Sequence, residues 1–154
     1  MNRVQNEAYL TAYDATSAAT ASNYQIIKHL KQEGGWLDLF TPPTFSNDGS
    51  QLLLILSQSQ GTEAGSYRHI VRFNRVQDSP VIPLTSGKFV VTEILGWKDN
   101  MIYYLANTEE DAAVQHVYSL STNNGSSTCL SCDVKTDLRK EECLYNSAKF
   151  STDY

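Results

Sequence analysis

The chain has 154 residues, 41% hydrophobic and 19% charged, which is enough apolar material to bury a core and too much for a disordered segment. A net charge of −5 without any cluster of Lys and Arg excludes nucleic acid as a partner, because phosphate contacts need grouped cations. The longest apolar run, Leu52 to Leu56, is far shorter than the roughly 20 residues of a membrane helix, and Met1 to Asn6 lacks the apolar core of a signal peptide.

In chain order, runs rich in Val, Ile, Tyr and Leu predict strands from Ala8 to Tyr13, Gln51 to Ser57, Tyr67 to Asn74, Lys88 to Gly96, Met101 to Ala106 and His116 to Leu120, separated by Gly, Asn, Asp and Ser clusters. The exception is Tyr24 to Glu33, where Ile26, Ile27 and Leu30 at i, i+1 and i+4 before Gly34-Gly35 predict one or two helical turns or a loop. The polar run Ser121 to Thr128 reads as an exposed loop and contains the sequon Asn124-Gly125-Ser126, a candidate glycosylation site whose alternative is an unmodified turn.

All three cysteines, Cys129, Cys132 and Cys143, stand near the end of the chain with no histidine among them. A metal ribbon wants a fourth ligand at similar spacing, whereas a secreted domain strands a cysteine only when its partner lies elsewhere. The expectation is therefore a piece of a longer extracellular protein with its targeting segment upstream; the alternative is a cytosolic protein with free thiols.

The strands also repeat. His69-Ile70-Val71-Arg72-Phe73 is followed by Pro83-Leu84-Thr85-Ser86-Gly87, and about 47 residues later His116-Val117-Tyr118-Ser119-Leu120 is followed by Cys129-Leu130-Ser131-Cys132. The turns Ser46-Asn47-Asp48-Gly49 and Trp97-Lys98-Asp99-Asn100 each open a strand, and Phe150 to Tyr154 begins a third copy. A period of 40 to 50 residues with four short strands per unit is that of β-propeller blades, which bury their faces only against one another. The predicted fold class is all-β, about two blades of a propeller, with a β-sandwich as the alternative. The predicted partition is the end of one blade and a loop over 1–40, one blade over 41–106, and the last blade over 107–154.

Cys129-Leu130-Ser131-Cys132, Glu142-Cys143-Leu144-Tyr145 and Ser147-Ala148-Lys149-Phe150-Ser151 resemble the last propeller blade of the dipeptidyl peptidase IV family. Asn2 to Asn6, Pro43 to Ser46, Tyr67 to Ile70 and Leu84 to Lys88 extend that resemblance, in order, over nearly the whole chain. It implies an extracellular type II membrane glycoprotein with an eight-bladed propeller and an α/β-hydrolase domain absent from this sequence. The parent it implies is a serine exopeptidase that releases N-terminal dipeptides ending in Pro or Ala, with peptide substrates as partners, a homodimeric state and membrane attachment only through an N-terminal anchor not present here. It pairs Cys129 with Cys132, and Cys143 with a residue beyond Tyr154.

There are departures. Tyr13-Asp14-Ala15-Thr16 stands where relatives often carry a cysteine pair, and the loop of Trp36 and Phe40 has Leu39 and Thr41 where enzymatic relatives carry arginines. Phe40 is the candidate for bordering a substrate cavity, against simple packing. A non-catalytic relative serving as a potassium-channel auxiliary subunit is the alternative function.

No Gly-x-Ser-x-Gly elbow occurs, so no catalytic residue is assigned. His69 and His116 occupy equivalent repeat positions, which favours a structural role. A zinc set of His116, Cys129, Cys132 and Cys143 has acceptable donors but unusual spacing, so no metal or other cofactor is expected. Glu109-Glu110-Asp111 reads as a solvated hairpin tip.

Overall fold

The computed structural model describes residues 1–13, 24–38, 41–137 and 141–151. Ten strands and no helix form among them. The first two, β1 (Glu7–Tyr13) and β2 (Tyr24–Lys31), make an antiparallel pair. The helical turns expected from Tyr24 onward are replaced by strand, and the register explains the misleading spacing. Leu10 pairs with Lys28 but Thr11 pairs with Ile26, so Ile27 is an extra residue in β2. This bulge turns Ile27 and Leu30, three apart, both inward, at 1% and 7% exposure.

Two four-stranded antiparallel meanders follow. One runs in the order β3 (Thr44–Phe45), β4 (Gln51–Ser59), β5 (Ser66–Asn74), β6 (Ile82–Pro83). The other runs β7 (Val91–Lys98), β8 (Met101–Asn107), β9 (Gln115–Ser121), β10 (Ser127–Cys129). The break between them lies between Pro83 and Val91, not at residue 106, because β8 pairs with β9 from Met101↔Ser121 to Asn107↔Gln115. Pro80 and Pro83, which have no N–H to donate, end the first meander and mark that boundary.

The run Leu52 to Leu56 is apolar at every position because both faces of β4 are covered. Leu52, Leu54 and Leu56 pack with Leu30, Val71 and Phe73 toward the β1–β2 pair. Leu53 and Ile55 join Ile70, Val91, Trp97, Ile102, Tyr104, Ala106 and Leu120 in a core shared by the two meanders. Three sheets are thus stacked face on face, the packing that a propeller demands of its blades. On β8, Tyr104 stacks on Tyr118 at 5.3 Å and donates its hydroxyl to Ser127 Oγ at 3.1 Å. Downstream, the Leu144 carbonyl accepts the Gln115 N–H at 2.8 Å, and Phe150 lies 4.7 Å from the Tyr103 ring.

The turns that open the blades are locally encoded. Asp48 accepts from the Ser46 hydroxyl at 2.7 Å and from both the N–H and hydroxyl of Ser50. These bonds, the Ser46 hydroxyl foremost, hold its carboxyl down at about 2.

Candidate functional site

The repeated histidines brace the two blades in the same way. In the first, Thr85 Oγ1 accepts the Ile70 N–H at 3.0 Å and lies 3.0 Å from His69 Nδ1, while His69 Nε2 lies 3.0 Å from the Gly87 carbonyl. A carbonyl can only accept, so Nε2 carries the proton and Nδ1 accepts from the Thr85 hydroxyl. The ring is fully buried, and burial lowers the His69 pKa despite the Gly87 carbonyl and the Glu109 charge, which act to raise it. In the second blade Ser131 Oγ accepts the Val117 N–H at 3.0 Å and lies 3.2 Å from His116 Nδ1, to which Asn146 Nδ2 also approaches at 3.1 Å.

A hydroxyl beside an imidazole is the first half of a nucleophile–base pair. Here both hydroxyls are buried, at 6% for Thr85 and 7% for Ser131, and each already accepts a backbone N–H. They tie the segment that follows the fourth strand of each blade to its third strand.

Cys129 and Cys132 are joined by a disulfide with Cα atoms 5.8 Å apart, and Cys143 is a half-buried free thiol. His116 comes within 4.8 Å of both bridged sulfurs. The bridge occupies the two sulfurs that would otherwise coordinate, so the donor set does not suit a metal ion while oxidised. The Cys143 N–H is taken by the Val134 carbonyl at 2.9 Å, which fixes the returning segment beside the bridged loop.

Asn124 is exposed in the β9–β10 turn, where its Oδ1 accepts from the Ser126 N–H at 3.0 Å and hydroxyl at 2.8 Å. Phe40, the candidate cavity residue, lies outside the described residues, while Trp36 in the same loop is 77% exposed. The Glu109-Glu110-Asp111 tip is exposed as expected, but Glu109 also accepts the Lys88 N–H at 2.9 Å, tying the hairpin to the crossover between blades. Gly87 on that crossover has φ +131°, and a Cβ there would collide with the Glu109 carboxylate and the Phe89 ring. The sequence signal for this contact was Gly87 itself, whose requirement appears only when the hairpin folds over it.

Stacked four-stranded meanders with repeated internal braces define the class: this is part of a β-propeller, and the described residues hold no nucleophile poised for substrate. The family model for the dipeptidyl peptidase IV N-terminal region matches residues 1–154. The chain is 32% identical to the inactive dipeptidyl peptidase 10 of Rattus norvegicus over 98% of its length. It is 29% identical to the venom dipeptidyl peptidase 4 of Vespa velutina over 97%, and 29% identical to the prolyl endopeptidase FAP of Homo sapiens over 98%. The chain belongs to the dipeptidyl peptidase IV family, in its N-terminal propeller region. It spans 18%, 19% and 20% of those three relatives.

Proposed function

We propose that the chain forms the closing blades of the propeller of a dipeptidyl-peptidase-IV-like serine exopeptidase, where it helps gate and position peptides for a hydrolase domain that cleaves after N-terminal X-Pro or X-Ala. The observation that carries this reading is the family match over all 154 residues, laid on blades whose faces are buried by neighbouring sheets. Similarity to a venom dipeptidyl peptidase and a prolyl endopeptidase supports the peptidase parent. Phe40 then borders the substrate cavity, Asn124 carries a glycan on the extracellular side, the parent is a homodimer held by an N-terminal anchor, and Cys143 pairs with a cysteine beyond Tyr154.

A second reading has its own support. The 32% identity to an inactive dipeptidyl peptidase, with Leu39 and Thr41 in place of the loop arginines, favours a non-catalytic parent acting as a potassium-channel auxiliary subunit or protein-binding module. Assay of the full-length gene product with a Gly-Pro chromogenic reporter separates the two. Release of the chromophore, abolished by a serine-directed phosphonofluoridate, is expected of the peptidase. A full-length protein with an intact Gly-x-Ser-x-Gly that leaves the reporter uncleaved overturns it.

A further inference from the structure

We propose that the Cys129–Cys132 bridge masks a zinc site, and that its reduction turns Cys129, Cys132 and His116 into the ligands of a single Zn²⁺ ion. One ring nitrogen of His116 and the two sulfurs lie within 4.8 Å of one another. Among the described residues this is the one group of three such donors that the fold brings together, and Cys143 stands outside it. A tetrahedral zinc ion, with sulfurs at about 2.3 Å and nitrogen at about 2.0 Å, holds its donors roughly 3.5–3.8 Å apart. The bridged sulfurs have to separate and the imidazole has to close in by little more than an ångström at most.

The internal repeat shows that the sulfurs are not needed for the brace. In the first blade Thr85 performs the bracing role of Ser131, yet Pro83 and Ser86 stand where the second blade has Cys129 and Cys132. The second blade thus carries a C-x-x-C pair, the spacing of zinc knuckles, beside an imidazole already in place. Ser131, inside the bridged loop, holds that ring with its Oγ 3.2 Å from Nδ1, and Asn146 Nδ2 approaches the same nitrogen at 3.1 Å. Such partners orient a ligand before the metal arrives. Two thiolates and an imidazole are a soft donor set, which suits zinc and not a hard cation such as calcium or magnesium.

Access begins at Cys132, which is exposed, whereas Cys129 is half-buried. Exposed bridges are the ones open to exchange, and the co-reactant here is a dithiol. One of its thiolates attacks Cys132 Sγ, the Cys129–Cys132 bond breaks, and Cys129 leaves as a thiolate. The reagent's second thiolate then attacks the mixed disulfide and releases Cys132, so the bridge takes up two electrons and the reagent departs as a cyclic disulfide. Zinc binds both cysteines as thiolates, their protons pass to solvent, and the neutral imidazole supplies its lone pair. Three protein donors leave the fourth position to water.

The test uses the full chain carrying Cys143→Ser, which removes the remaining thiol. After reduction with dithiothreitol and oxygen-free desalting, it should bind one equivalent of Co²⁺, with a thiolate-to-cobalt charge-transfer band that Zn²⁺ abolishes by displacement. Labelled with ¹⁵N-histidine, the same protein should show Zn²⁺ shifting the His116 ring nitrogens and leaving those of His29 and His69 unmoved. The unreduced protein should bind neither ion, and Cys132→Ser should weaken binding at least about tenfold, since loss of even a ligand-orienting partner costs that much. A reduced protein without the band, zinc bound with the His116 signals unmoved, equal binding by the oxidised chain, or undiminished binding in Cys132→Ser each overturns the proposal.

Discussion

Thr85 is a small residue with two obligations, because its buried hydroxyl accepts the Ile70 N–H and donates to His69. Thr85→Val keeps the shape and strands both partners, so it should lower stability by about 1–3 kcal/mol in urea unfolding, with Ser131→Ala comparable in the second blade. Unchanged midpoints would show that the braces are incidental. His69 gives the pair a pH signature. Its folded pKa lies below that of the unfolded chain, so the unfolded state takes the proton first as pH falls through about 6.5. The contribution of His69 is complete above that range and is lost on acidification; stability should fall as the pH drops through and below about 6.5, with a shallower slope in His69→Gln. The sequence paired His69 with His116 by repeat position. It could not display the hydroxyl partners 16 and 15 residues away, because that pairing needs the fourth strand to fold back on the third.

Among the elements, β4 is the most informative, since an unbroken apolar run is compatible with a strand buried on both faces and with other structures of the same length. Leu54 faces the β1–β2 pair and Leu53 faces the second meander. Leu53→Ala and Leu54→Ala should therefore both cost about 2–5 kcal/mol, whereas a strand with one wet face would lose that much at one position only. The bulge at Ile27 is the contrary case: a helical spacing in sequence became a strand because one unpaired residue rotated the side-chain alternation. In the β10 region the disulfide closes so short a loop that chain entropy assigns it about 2 kcal/mol. Thiol titration under denaturing, non-reducing conditions should find one reactive sulfur per chain, Cys143; three would show that the bridge does not form in solution.

At the scale of the molecule, the core is shared between sheets. Leu53, Ile55 and Ile70 of the first meander are covered by Val91, Trp97, Ile102, Tyr104, Ala106 and Leu120 of the second. A chain ending at Pro83 should accordingly fail to fold cooperatively, visible as collapsed amide dispersion in NMR; a well-dispersed spectrum would show that the blade stands alone. The repeat, the all-β class and the family were legible because turn residues and strand patterns recur in order, and such local chemistry survives without knowledge of contacts. The blade boundary was not legible. Residue 106 ends a strand as plainly as Pro83 does, and only hydrogen bonding from β8 to β9 shows which ending closes a sheet. By itself the sequence determined strand composition, turn chemistry and the cysteine spacing, all of which depend on neighbours along the chain. Tertiary structure alone decided which face each strand presents, which histidine meets which hydroxyl, and where Arg72 and Trp97 are left unpaired, because burial and hydrogen bonding between distant residues are properties of the packed sheets.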